Sequence, residues 1–127
     1  MATSKVVNPN IAQTVTITPV TSTAEAYYIN VRNNKPECGI GRCGPIVDVY
    51  AIVKVNTVDT SNNHIIMSAG VPKPTHDIAF FCSPDGSSKE PLRVFIGASS
   101  AHAGKLQVRG GTANATYSVS FTYIAAS

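Results

Sequence analysis

Apolar and polar residues alternate along most of this chain with a period of two. Val15 and Ile17 alternate with Thr14, Thr16 and Thr18, and Tyr27, Ile29 and Val31 alternate with Tyr28, Asn30 and Arg32. Such spacing sends successive side chains to opposite faces, as in a strand with one face buried. The longest run, 45–56, puts Val47, Val49, Ala51, Val53 and Val55 on one face and Asp48, Tyr50, Ile52 and Lys54 on the other. It predicts a central strand. Further strands are predicted over 64–69, 77–82, 92–97 and 105–109. The last, 115–124, sets Tyr117, Val119, Phe121 and Tyr123 against Ser118, Ser120 and Thr122.

Breaker clusters separate these runs at 33–36, 60–63, 70–74, 83–88 and 109–114, where Gly, Pro, Asn and Asp supply the backbone angles that reverse a chain. No stretch of ten or more residues carries capped helical spacing, although 21–28 has room for one helical turn. The pattern predicts about eight strands in an all-β domain, an antiparallel β-sandwich or jelly-roll. That domain spans 12–127. Residues 1–11 show no sustained period and read as an N-terminal arm or as the stub of a longer chain.

Composition sharpens the picture of the surface. The 127 residues are enough for one core. Charged residues make up only 13%, against about 25% in typical soluble domains, so the exposed faces are neutral and rich in hydroxyls. The net charge of +3 comes from lysines and arginines scattered along the chain. Without a basic run, no nucleic-acid partner is expected. No apolar run approaches the roughly 18–20 residues of a membrane span, and the first residues lack the apolar core of a signal peptide. Membrane insertion is not expected.

Candidate chemistry is sparse. Cys38-Gly-Ile-Gly-Arg-Cys43 reads as a Gly-rich turn, and its cysteines are compatible with a metal pair, a disulfide across the turn or two free thiols. A metal would need two further ligands, for which Cys82 and His64, His76 or His102 are available, but no second paired motif exists. Neither a metal nor a cofactor is expected. Cys82 has apolar neighbours and reads as core. The seven carboxylates are scattered, with Asp59 and Asp85 in turn contexts. There is no nucleophile elbow, phosphate loop or dinucleotide fingerprint, so an enzyme is not expected. Asn114-Ala-Thr116 matches a glycosylation sequon and reads as a turn.

A binding role fits the remaining polar groups better. Sugars are held by carboxylates and histidines that accept hydroxyl protons, by arginines that donate, and by an aromatic face against the ring. Tyr50, His64, His76, Asp77 and Arg93 are the candidate ligand-binding residues. The chain has no Trp, so Tyr or Phe must provide any stacking.

Four segments together resemble the C-terminal head domain of receptor-binding proteins from siphophage tails and baseplates. They are Gly70-Val-Pro-Lys-Pro74, Leu92-Arg-Val-Phe-Ile-Gly97, Gly104-Lys-Leu-Gln-Val-Arg109 and Ala115 to Ile124. The likeness runs from about Val47 to Ile124. It implies a homotrimer of β-sandwich heads at the phage tail tip, exposed to the medium and joined to other tail or baseplate proteins. It also implies binding of a host cell-wall saccharide or glycerol-phosphate polymer in clefts at or near subunit boundaries. Two alternatives stand beside it: a structural fibre-tip or capsid-decoration protein without a ligand, and a polysaccharide depolymerase, which needs two carboxylates at one cleft.

Overall fold

The computed structural model describes residues 12–84 and 89–126. The predicted arm, 1–11, and positions 85–88 of the predicted turn lie outside the described residues. Two five-stranded antiparallel sheets form a β-sandwich. In the first, β7 (Ile46–Val55) pairs from Ile46 to Lys54 with the whole of β12 (Thr116–Ile124). On its other side β7 pairs with β3 (Tyr27–Ile29) and then β6 (Cys38–Cys43), laid end to end, and β1 (Gln13–Thr14) pairs with β6. The second sheet runs β2 (Thr18–Pro19), β8 (His64–Ala69), β11 (Leu106–Gly110), β10 (Leu92–Ile96) and β9 (Ile78–Cys82). A small hairpin, β4 (Val31–Arg32) with β5 (Lys35–Pro36), stands apart from both.

The period-two pattern places the core. Val47, Val49, Ala51, Val53 and Val55 of β7 are buried, and so are Tyr117, Val119 and Tyr123 of β12. They join Ile66, Leu92, Val94, Ile96, Leu106 and Val108 of the second sheet in one cluster. Burial of each such aliphatic side chain stabilises the fold by roughly 1.5–3 kcal/mol.

Three buried tyrosines of the first sheet add polar ties. Tyr27 donates its hydroxyl proton to Gly110 O at 2.6 Å and accepts from Asp59 N at 3.0 Å. Tyr117 accepts from Thr112 N at 2.9 Å and donates to Glu90 O. Tyr123 donates to Pro72 O at 2.6 Å. Burial raises the Tyr27 hydroxyl and pushes Tyr123 up to about 12, so both stay protonated donors at neutral pH. Each satisfies loop backbone that would otherwise be desolvated without a partner.

The described residues form twelve strand segments rather than eight, because two predicted strands are interrupted and two segments predicted as turns, Lys35–Pro36 and Cys38–Cys43, are strands. The segment around Val15 and Ile17 crosses between sheets: Gln13–Thr14 pairs in the first and Thr18–Pro19 in the second. The alternation at 27–32 breaks at Asn30. Asn33 and Asn34 both take positive φ, 53° and 62°, which suits a two-residue hairpin turn. That hairpin carries Val31 out to solvent instead of into the core. No helical turn forms within 21–28.

The largest correction concerns Cys38–Cys43, which is a strand and not a turn. The actual reversal is Gly44-Pro45, with Gly44 at φ +59° and Cys43 paired to Ile46. Five steps of strand rise separate the two cysteines by about 16 Å, and the odd number of steps puts them on opposite faces. Bridging needs Cα atoms within about 7 Å, so Cys38 and Cys43 do not form the disulfide considered from their spacing; both are free.

Candidate functional site

The outward face of the first sheet carries a groove built on missing side chains. Gly39 and Gly41 occupy successive outward positions of β6, opposite Tyr50 and Asp48 of β7. Glycine inside a strand is unfavourable and marks places where something approaches the backbone closely. A Cβ on Gly39 would lie 2.7 Å from Tyr50 Cε1, so the Tyr50 ring rests on this glycine. A Cβ on Gly41 would meet nothing nearer than 3.9 Å. The floor beside the ring is open.

Tyr50 stays 52% exposed and separates two depressions. One, of about 530 Å³, is lined by Thr14, Gly41, Asp48, Ser120 and Thr122 beside the ring. Asp48 is oriented by Thr122, its cross-strand partner, whose hydroxyl donates to Oδ1. The other depression, of about 520 Å³, lies between Tyr50 and the β4–β5 hairpin, with Arg32, Asn33, Lys35 and Glu37 around it. Glu37 accepts from Asn30 Nδ2, a bond across the point where the hairpin leaves the sheet. An apolar ring face between hydroxyls, a carboxylate, an amide and two cations is the mixture a hydroxyl-rich ligand requires.

The predicted site residues do not converge. Tyr50 is on the outward face of the first sheet. Arg93 is on the outward face of the second, between the buried Leu92 and Val94. His64 opens β8 and binds Asp59 Oδ2 at 2.9 Å, with its ring 5.1 Å from that of Tyr27. His64, followed by Ser61 and Asn62 amides, holds the Asp59 carboxyl well below the usual carboxylate range. His76 is exposed in the turn before β9, where Asp77 accepts from Ala98 N at 2.7 Å. Asp77 therefore pins the loop after β10.

Several residues at the groove were not foreseen as site residues. Gly39 and Gly41 were read as turn formers; their alternate spacing, two apart, was the available signal for a bare strip on one face of a strand. The hairpin residues Arg32, Asn33, Lys35 and Glu37 carried no such signal. Burial raises the thiols of Cys38 and Cys82, which keeps them protonated and weakly nucleophilic. No three His, Cys, Asp or Glu side chains gather around a common point among the described residues.

No protein-family model matches the chain, and neither curated proteins nor solved structures include a significant match.

Proposed function

We propose that this chain is a receptor-binding head of a phage tail or baseplate, acting as a homotrimer that recognises a saccharide or glycerol-phosphate polymer of the host cell envelope. The observation that carries the reading is the Tyr50 groove. A half-exposed ring lies on a glycine strip between two depressions, giving room for consecutive units of a polymer on either side of one aromatic platform. Affinity at such sites comes from the ring and from hydroxyl pairing, with no chemical step required of the protein. The β-sandwich and the segmental resemblance described above support the assignment to a tail head.

Self-association is supported by a second surface feature. Ile46 and Ile124 are direct cross-strand partners, 46% and 51% exposed, at the far end of the same face. Covering them in a trimer would place the groove close to a subunit boundary. Light scattering of the full chain is expected to return three copies; a monomer at micromolar concentration removes the trimer from the proposal.

Pull-down with whole host cells and with purified envelope polysaccharide tests the binding role, comparing the unaltered chain with Tyr50→Ala. Retention by the first and loss by the second is expected. Retention of neither on any cell or polymer favours the structural role. Because Asp48 and Glu37 lie on either side of Tyr50, released reducing ends in the same assay would favour a depolymerase.

A further inference from the structure

On the outward face of the second sheet, Phe81, Arg93 and Arg109 stand side by side on β9, β10 and β11. Arg93 is the direct cross-strand partner of both. Phe81 is 68% exposed. The next row of the same face is closed: Phe95 is packed by the His102 ring at 5.6 Å, and His102 Nδ1 meets Gln107 Nε2 at 3.1 Å. The loop carrying His102 therefore covers one row and leaves the arginine row open. Thr60, Glu90, Pro91 and Gly110 complete a cleft of about 390 Å³ around it.

Among the described residues the charges in this cleft are unbalanced. Like charges placed directly opposite on neighbouring strands repel. Arg93 has only a 3.3 Å bond to the neutral Asn63 and a position 5.5 Å over the Phe95 ring. Among the described residues no carboxylate lies within ion-pair distance of either guanidinium, because the ion-pair contact found there is His64 with Asp59. Glu90 lines the cleft without pairing to either.

We infer that the Phe81–Arg93–Arg109 cleft is a binding site for one negatively charged sugar unit, a sugar acid or a sugar phosphate, separate from the Tyr50 groove. Two adjacent guanidinium forks match a carboxylate or phosphate group. The Phe81 ring covers the apolar face of the sugar, and Glu90 accepts from its hydroxyls. A cleft this small takes one unit, and the presence of Glu90 disfavours a continuous polyanion. Nucleic acid would need a longer basic track than two arginines. The inference does not depend on the function of the Tyr50 groove.

Titration of the full chain with glucuronate, glucose 6-phosphate, neutral glucose, inorganic phosphate and a short single-stranded oligonucleotide, followed by amide NMR shifts, tests the site. The expected result is saturable binding of glucuronate or glucose 6-phosphate at the Phe81, Arg93 and Arg109 amides, at least tenfold tighter than glucose. Which of the two binds identifies the acidic group. Arg93→Gln and Arg109→Gln should each weaken that binding at least tenfold, with an unchanged or raised melting temperature because a repulsion has been relieved. Phe81→Ala should weaken binding of the sugar ligands and leave inorganic phosphate unaffected, while Tyr50→Ala should change nothing here. Equal affinity for glucose, insensitivity to both arginine variants, or inorganic phosphate binding as tightly as the sugar phosphate would overturn the inference. Tighter binding of the oligonucleotide would replace the sugar with a nucleic acid.

Discussion

The two outward faces of this sandwich share one core and present opposite chemistry. The first sheet offers two glycines, a tyrosine and a set of hydroxyls around Asp48; the second offers two arginines in register beside an exposed phenylalanine. Both are faces of antiparallel sheets, and the difference arises from the outward residues. The first face gains its concavity by deleting side chains at Gly39 and Gly41. The second gains it by stacking a loop over one row and leaving the next uncovered. A deleted side chain makes a groove whose bordering charges are of both signs, whereas the uncovered row of long side chains sets two like charges together.

This contrast can be broken from inside the core. Tyr117→Phe leaves Thr112 N and Glu90 O without their buried partner, and such a loss costs about 1–3 kcal/mol. Urea denaturation should show that loss. Because Glu90 and Gly111 border the arginine cleft, binding there should weaken while binding at the Tyr50 groove holds. Equal loss at both faces would mean that the tyrosine tie acts on the whole domain.

A smaller effect separates the faces from the other side. Tyr50→Ala removes an exposed ring and should reduce saccharide binding at the first face about two- to tenfold, in line with the roughly 0.5–1.5 kcal/mol attributed to aromatic contacts. The denaturation midpoint should stay within error, since the ring is half exposed. Gly39→Ala is a milder version. The new methyl pushes the Tyr50 ring off its seat without removing it, so affinity should fall by less than in Tyr50→Ala, as isothermal titration can measure.

Acid gives the smallest effect at neutral pH and the clearest sign. Asp59 has a folded value below its unfolded one, which is near 3.9. Its contribution is therefore complete above about pH 4 and is lost as pH falls from there toward the lower folded value. Asp59 fixes the amides of Ser61 and Asn62, directly after Thr60 at the edge of the arginine cleft. Acid-dependent amide exchange should rise first at 60–64. Asp59→Asn should show that faster exchange already at pH 7 and lose the step below pH 4.

Much of this architecture was legible before any fold was seen. The inward residues of β7 and β12 follow strict alternation, and their burial matches that alternation from Val47 to Val55 and at Tyr117, Val119 and Tyr123. Side-chain period is a local property of extended backbone, so sequence alone specifies which residues share a face. It also specified the all-β class, because breakers and short alternating runs leave little room for a helix.

Relations between distant segments were decided by tertiary structure. Tyr50 and Arg93 each sit on a correctly assigned strand, yet they point away from one another because their strands belong to opposing sheets. Cys38–Cys43 resembled a turn because of its glycines; pairing with β1 and β7 made it a strand and separated its thiols. The arginine row exists only because β9, β10 and β11 align Phe81, Arg93 and Arg109 in register. Alternation determines the face of each residue within a strand, whereas strand order and register determine its neighbours, and those are set by packing across the whole chain.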